Sequence, residues 1–143
     1  MKKYILYSLL LFFVACQVAP STVEYGMDKC DYCDMTIVDN RFAAQMVTNK
    51  GKAYKFDSIE CLVHSKQQIF SDVNMAYMLI CDYNNPGKFT EAEKATYLVS
   101  ENIKSPMSEH LAGFKNQQDA LKVEQDNPGD IYDWTGINER LKK

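Results

Sequence analysis

Residues 43–56 read Ala-Ala-Gln-Met-Val-Thr-Asn-Lys-Gly-Lys-Ala-Tyr-Lys-Phe. Apolar and polar side chains alternate before and after Asn49-Lys50-Gly51, a tripeptide that is typical of a turn. The pattern predicts two antiparallel strands joined as a β-hairpin.

The residues after the hairpin predict a helix and a further strand. Asp57 and Ser58 are both candidate N-caps, and apolar residues then recur at helical spacing up to about Phe70. The apolar run from Met75 to Tyr83 has the length of a strand, and the turn signal Asn84-Asn-Pro-Gly87 ends it. The first half of the chain therefore has the order strand, strand, helix, strand.

The second half predicts the same order after a turn of helix at residues 91–94. Its predicted elements are strands at 96–100 and 110–114, a helix opening near Asn116 and stopped by Asn127-Pro128-Gly129, a strand at 130–134, and a short helix from Ile137. We therefore expect an α+β fold of two small ββαβ lobes in tandem, at about residues 25–88 and 89–143. The repeated order suggests an internal duplication.

The N-terminal sixteen residues have the features of a bacterial lipoprotein signal. Lys2 and Lys3 precede a short apolar run, which cannot span a bilayer core of about 30 Å. The run ends in Phe13-Val14-Ala15-Cys16, which resembles a lipobox. We expect residues 1–15 to be a signal peptide, Cys16 to be lipidated, and residues 16–24 to tether the domain to a membrane of the cell envelope, facing the periplasm. Gln17, where aspartate would favour the inner membrane, favours the outer one.

Composition excludes several classes of protein. The chain has 143 residues, of which 46% are hydrophobic and 24% charged, so it is not collagenous, of low complexity or wholly disordered. Its 16 basic residues against 19 acidic ones leave no basic footprint for nucleic acid. The unusual feature is sulfur, with five cysteines and seven methionines.

With Cys16 assigned to lipid, four thiols remain, and an even number is also what two disulfides would give in an oxidising compartment. The segment Cys30-Asp-Tyr-Cys33-Asp-Met35 places two thiols and a thioether close together before the hairpin. Thiolates and thioethers are soft donors that select Cu(I) over hard cations, whereas a thioether is not a zinc ligand. The segment therefore favours a Cu(I) site, in which Cys30 is either a fourth sulfur donor or a disulfide partner of Cys33.

Short motifs along the chain resemble, in order, those of the NosL family, the nitrous oxide reductase accessory lipoproteins. They are Tyr32-Cys33-Asp34-Met35, Arg41-Phe-Ala-Ala-Gln45, Gly51 with Tyr54-Lys-Phe-Asp57 and Cys61, Asp82-Tyr83, Ala95-Thr-Tyr-Leu-Val99, Ser105-Pro-Met107 and Phe114. The resemblance runs from the lipobox to about Trp134. It implies a two-lobed Cu(I) chaperone, not an enzyme, that supplies copper for the copper-sulfide centre of nitrous oxide reductase. Its partners would be that enzyme and its maturation machinery, including a membrane transporter complex.

The resemblance also implies a ligand set. Cys33 and Met35 match the family's Cys-x-Met element, and Met107 matches the methionine of its Ser-Pro-Met element, so these three residues, with Cys30 as a plausible fourth, are the expected copper ligands. Asp34 stands where many relatives have glycine. Pro106 fixes its own φ and presents Met107 on a defined bend.

The remaining candidate donors are weighed by their surroundings. Cys81 lies in an apolar strand and is expected to be buried, while Cys61, near a helix start, is a buried residue or a secondary donor. His110 is three residues from Met107 and is a candidate additional ligand. His64 lies in a polar stretch of the first helix and is expected to be solvated or capping.

Two other functions stay open. Cys30 and Cys33 are the pair that a thiol–disulfide oxidoreductase would use, although this C-x-x-C does not open a helix after a strand. The thiols of Cys30, Cys33, Cys61 and Cys81 are those of a structural zinc module, although a second paired knuckle is missing and the methionines would have no role.

Overall fold

The computed structural model describes residues 17–142, so the predicted signal peptide and the lipidation site at Cys16 lie outside the described residues. The first sheet and its helix are built from β1 (Ala44–Thr48), β2 (Ala53–Phe56), α1 (Ile59–Gln68), β3 (Met75–Asp82) and β4 (Asn85–Glu91). The four strands are antiparallel to their neighbours and lie in the order β2-β1-β3-β4. The predicted hairpin is confirmed, with Val47 paired to Ala53 across the turn.

A second, three-stranded antiparallel sheet follows a single turn of 3₁₀ helix at Ala92–Lys94. Its elements are β5 (Thr96–Val99), β6 (Leu111–Phe114), α2 (Gln117–Asp126), β7 (Asp130–Tyr132) and the terminal helix α3 (Trp134–Arg140). The strand order is β6-β5-β7. In each sheet the strand after the helix pairs with the first strand of the hairpin, so both halves have the expected ββαβ order. The mixed class with two antiparallel sheets is confirmed, whereas an origin by internal duplication stays a prediction.

The larger of the two hydrophobic clusters among residues 17–142 is shared by the two sheets. Its buried side chains come from both, including Phe56, Ile59 and Ile80 from the first half and Tyr97 and Leu111 from the second. Gly113 on β6 allows the close approach, because a Cβ atom there would lie 2.2 Å from the Cδ1 atom of Ile80. The second half is therefore packed against the face on which α1 lies, which brings its loops towards that helix.

Two segments differ from expectation. Residues 85–91, expected to be a turn and a polar link, form the edge strand β4, in which Phe89 pairs with Cys81. Pro86 is tolerated because an edge strand has one unpaired side. Trp134, expected to end a strand, instead begins α3, because the side chain of Asp133 accepts the backbone N–H of Gly136 at 2.7 Å and caps the helix.

The end of the predicted tether is docked on the domain. Gln45 on β1 accepts the backbone N–H of Ser21 at 3.0 Å and donates to the Ser21 carbonyl at 3.2 Å, and Val23 is buried in the core. Ser21 and Val23 of the predicted tether are therefore packed on the domain. Within residues 17–142, none of the helices combines the length and apolar character that crossing a bilayer requires.

Candidate metal centre

Helix α1 is buried along most of its length, and several of the side chains that it buries are polar. Ser58 caps the helix by accepting the backbone N–H of Cys61 at 3.2 Å. Glu60, Cys61 and His64 are then all buried. Polar groups are costly to bury, and Glu60 Oε1 offsets part of that cost by accepting the hydroxyl of Ser105.

The loop that contains Cys30 and Cys33 is closed by its own backbone. The N–H of Cys30 donates to the carbonyl of Met35 at 2.8 Å, and the N–H of Asp34 donates to the carbonyl of Cys30 at 3.0 Å. Asp34 adopts φ 62°, in the left-handed region that favours glycine and tolerates aspartate. This conformation accounts for an aspartate at a position where the resemblance leads us to expect glycine.

A pair of reciprocal hydrogen bonds fastens this loop to β2. The N–H of Asp31 donates to the carbonyl of Lys55 at 2.8 Å, and the N–H of Lys55 donates to the Asp31 carboxylate at 2.6 Å. Since Asp57 is two residues after Lys55 and precedes the N-cap of α1, the loop lies against the start of the helix.

Three thiols and a carboxylate meet there. One ligand atom from each of Cys30, Cys33, Cys61 and Asp57 lies within 4.8 Å of the others, and we call this group the thiol cluster. The Cys33 thiol donates to Asp57 Oδ1 at 3.5 Å. Cys30, Cys61 and Asp57 are buried, whereas Cys33 is only partly buried, so Cys33 lies at the accessible edge of the cluster.

The cysteines of the described residues are free thiols, and their hydrogen bonds give them different acidities. The Cys61 thiol hydrogen-bonds to the sulfur of Cys30 and, together with backbone N–H groups of Cys33, Asp57 and Tyr32, lowers the pKa of Cys30 to about 6 despite its burial. The same bond to Cys30, together with burial, raises the pKa of Cys61. Burial raises the pKa of Cys33 to about 11. Among the three thiols of the cluster, Cys30 is therefore the one whose hydrogen bonds favour the thiolate form.

The loop that carries Met107 is attached to the same turn of α1. Ser105 Oγ donates to Glu60 Oε1 and accepts the N–H of Leu111 at 3.3 Å. Met107 is half-buried against the core, and Met35, in the first loop, is 47% exposed. The structure thus ties both loops with predicted ligands to the first turn of α1, while ligation by Met35 and Met107 stays a prediction.

Two members of the cluster lie outside the predicted ligand set. The sequence predicts Cys61 as a buried residue or a secondary donor and Asp57 as a helix cap, and Cys61 is buried as expected. Both enter the cluster because the C-x-x-C loop docks beside β2. The usable signal was the position of Asp57 between the end of a strand and an N-cap, with Cys61 one helical turn later.

The structure also changes the expectations for the four-cysteine zinc module and for the two histidines. Cys81 is buried as expected, but its sulfur lies 3.6 Å from the Tyr25 hydroxyl and outside the cluster found among residues 17–142, so a zinc module of four cysteines is contradicted. His64 is buried rather than solvated, because its ring stacks on Tyr32 with centroids 5.9 Å apart. His110 faces its own loop, with Nδ1 2.8 Å from the carbonyl of Ile103.

Comparisons with known proteins agree with this architecture. The model of the NosL family matches residues 22–141. The fold resembles the crystal structure of the copper chaperone NosL from Shewanella denitrificans with a TM-score of 0.68 and 18% sequence identity, over 82% of this chain and 93% of that one. A comparison with curated proteins gave no match. Because the family model spans most of the sequence, the chain belongs to the NosL family.

Proposed function

We propose that this protein is a Cu(I) chaperone of the bacterial cell envelope that delivers copper for maturation of the copper-sulfide centre of nitrous oxide reductase. A lipid on Cys16 anchors it to a membrane, the outer one by preference, and the domain faces the periplasm. Its partners are nitrous oxide reductase and the transporter complex that matures it. Membership of the NosL family and the copper-chaperone name of the structural relative support the proposal.

The observation that carries the proposal is the thiol cluster at the start of α1. Thiolates are soft ligands that suit Cu(I), and the hydrogen bonds to Cys30 lower its pKa and so favour the thiolate form. Copper binding displaces the thiol protons that remain on the cluster. Cys33, Met35 and Met107, with Cys30 as the fourth sulfur, are the proposed ligands of the delivered ion.

Exposure at the edge of the site suits transfer to another protein. Met35 is exposed and Cys33 is partly buried, so a donor from a partner can reach a copper ion bound there. Ligands can then be exchanged one at a time without opening the core. No catalytic turnover is needed for this role.

The acidities of the thiols argue against an oxidoreductase. Such an enzyme needs an exposed nucleophile with a lowered pKa. Here Cys30 has the lowered pKa but is 1% exposed, and Cys33, which is partly exposed, has a raised one. Exposure and a lowered pKa therefore fall on different residues of the C-x-x-C, which does not suit disulfide exchange.

A structural zinc site is the second candidate function, because Asp57 replaces Cys81 as the fourth donor. Three thiols and one carboxylate provide the four ligands that zinc takes in closed structural sites. Such a site would contribute directly to folding, so removal of zinc would unfold the domain.

One titration separates these functions. The full chain, reduced and in detergent with Cys16→Ser as a common background, would be titrated anaerobically with Cu(I) against a competing chelator, and separately with Zn(II). We expect tight Cu(I) binding by the wild type and weaker binding by Cys33→Ser and Met107→Leu. Cys81→Ser removes a buried thiol outside the cluster, so this matched control should bind Cu(I) as tightly as the wild type. Equal affinities in all variants would refute the site. Zn(II) binding that is tighter than Cu(I) binding and is unchanged in Met107→Leu would favour the structural zinc site.

Delivery and anchoring need cellular tests. Deletion of the gene should leave nitrous oxide reductase without its copper-sulfide centre, and the wild-type gene should restore it. Cys16→Ser should abolish incorporation of labelled fatty acid into the protein while leaving Cu(I) affinity unchanged. Normal enzyme maturation in the deletion strain would exclude nitrous oxide reductase as the recipient.

A further inference from the structure

The predicted tether is docked along the first sheet as far as the turn between β1 and β2. Ser21 is hydrogen-bonded to the side chain of Gln45 in both directions, at 3.0 and 3.2 Å. Closer to the N-terminus, a methyl group of Val18 lies 3.9 Å from the position that a Cβ atom on Gly51 would take. The tether therefore leaves the domain beside residues 49–52, which we call the hairpin tip.

This docking limits the distance between the hairpin tip and a lipid on Cys16. Val18 is two residues after Cys16 in the sequence, and two residues of extended chain span at most about 7 Å. A tether that was free along all of residues 16–24 would let the domain turn in any direction relative to the membrane. Because the tether is docked as far as Val18, a lipid anchor on Cys16 holds the hairpin tip close to the membrane.

The hairpin tip has the side chains of a surface that rests on lipid headgroups. Lys50 and Lys52 are exposed, and the loop of residues 69–74 lies beside them, because Val73 and the two lysines line one cavity. In that loop Ile69 is 56% exposed and Val73 is 37% exposed. Lysines beside exposed apolar side chains suit the boundary between anionic headgroups and acyl chains.

Charge distinguishes the two ends of the hairpin. At the tip, Lys50 and Lys52 outnumber Asp72, the acidic residue among those that line the cavity. At the opposite end, Asp31 and Asp34 are exposed on the loop of the thiol cluster. The chain as a whole has a net charge of −3, so an anionic membrane repels it overall and attracts the tip.

We propose that the hairpin tip, through Lys50 and Lys52, rests on anionic phospholipid headgroups of the membrane that anchors Cys16. This inference rests on the lipid anchor of the proposed function and gives the anchored domain an orientation. The four residues of β2 separate the tip from Asp57 by roughly 13 Å, at about 3.3 Å a residue. The thiol cluster is therefore at the end of β2 that is turned away from the bilayer, within reach of a partner protein.

Chemical labelling of lysine side chains tests this orientation. The purified lipoprotein, with the lipid on Cys16 verified by intact mass, would be inserted into vesicles of phosphatidylcholine or of equimolar phosphatidylcholine and phosphatidylglycerol. A membrane-impermeant amine reagent would then be added, and mass spectrometry of peptides would give the rate at each lysine. We expect Lys50 and Lys52 to react several-fold more slowly on the anionic vesicles than on the neutral ones. Lys115 and Lys122, exposed in the second half, should react at equal rates on both.

Salt and charge reversal provide the controls. Each lysine close to an anionic surface strengthens attachment roughly fivefold, and salt screens this attraction, so high salt should restore the labelling rates. In the wild type we also expect slower amide hydrogen exchange in residues 69–74 on the anionic vesicles. Lys50→Glu with Lys52→Glu should abolish this slowing, whereas Lys115→Glu with Lys122→Glu, which changes the net charge equally, should retain it.

The two ways to fail are distinguishable. Equal labelling of Lys50 and Lys52 on both kinds of vesicle, in a protein whose mass includes the lipid, would overturn the orientation and leave the proposed function intact. A mass without lipid on Cys16 would overturn the anchor of the proposed function and, with it, the orientation. The Cu(I) titration is independent of both results.

Discussion

Helices α1 and α2 occupy the same place in the two ββαβ units, yet among the described residues only α1 has the thiol cluster at its start. Each follows a hairpin and precedes the third strand, and each starts with a side chain that caps the backbone N–H three residues later. In α1 the cap is Ser58 and the third residue is Cys61, and in α2 they are Asn116 and Asp119. The helices differ in what covers them.

The first seven residues of α1, from Ile59 to Ser65, are buried, whereas α2 buries only Ala120. The C-x-x-C loop and the Met107 loop lie against the start of α1, while the start of α2 faces solvent. The candidate site therefore does not come from the ββαβ topology itself. It comes from two loops that enclose the first turn of one helix.

Exchanging the residues at the third position of the two helices should give the largest effect. Cys61→Asp places a second carboxylate beside Asp57 in the core, and we expect it to lower the free energy of unfolding by about 3–5 kcal/mol at pH 7. Asp119→Cys, at the exposed start of α2, should cost at most about 1 kcal/mol. Urea denaturation of both variants measures the difference. Similar costs would mean that the first turn of α1 is not enclosed as described.

The second position of each helix provides a pH-dependent test. Burial raises the pKa of Glu60 from 4.5 to about 7, so the carboxyl is neutral in the folded and unfolded states at low pH and must be charged in the core at high pH. Its charge therefore destabilises the fold progressively between pH 4.5 and 7, by on the order of 3 kcal/mol above that range. Gln118 is the matching residue of α2.

We expect Glu60→Gln to be more stable than the wild type at pH 8 and equal to it near pH 4.5, because the amide oxygen still accepts the Ser105 hydroxyl. Gln118→Glu should show a small stabilisation of about 0.5 kcal/mol above pH 5 from the helix dipole. The measurement is the midpoint of urea unfolding against pH. A pH-independent effect of Glu60→Gln would contradict a buried carboxyl that titrates near pH 7.

The helix caps should differ by less. Ser58→Ala leaves the buried N–H of Cys61 without an acceptor and should cost about 2 kcal/mol, whereas Asn116→Ala exposes the N–H of Asp119 to water and should cost about 0.5–1 kcal/mol. Thermal unfolding of the two variants compares them directly. If Asn116→Ala were the more costly, α2 rather than α1 would be the better-enclosed helix.

Much of the fold could be predicted because its signals are local. The turn Asn49-Lys50-Gly51, the cap Ser58 and the cap Asn116 each act within a few residues, and the elements beside them lie where the sequence placed them. The edge strand β4 was missed because Asn84-Asn-Pro-Gly87 signals a turn. The strand begins inside that turn signal and is recognisable only by its pairing with β3.

The candidate site could be predicted only in part, since long-range contacts assemble it. The spacing of Cys30 and Cys33 identifies one loop. The hydrogen bonds between Asp31 and Lys55 bring that loop to Cys61, and the spacing of residues in the sequence does not predict these bonds. The hydrogen bond from Ser105 to Glu60, 45 residues apart, likewise positions the Met107 loop. Which buried thiol joins the cluster therefore depends on how the loops dock.

The smallest expected effect concerns the backbone of the loop that distinguishes α1 from α2. Asp34 has φ 62°, a conformation that strains most L-residues by roughly 1–2 kcal/mol and glycine not at all. Asp34→Gly relieves this strain but gives the unfolded chain more freedom, so we expect a change of less than about 1 kcal/mol in stability. Cu(I) affinity should be unchanged because Asp34 is not a proposed ligand. Asp34→Val is the matched control and should be clearly destabilising, since a β-branched residue avoids this region. A loss of Cu(I) affinity in Asp34→Gly, with stability retained, would instead show that the Asp34 carboxylate takes part in the site.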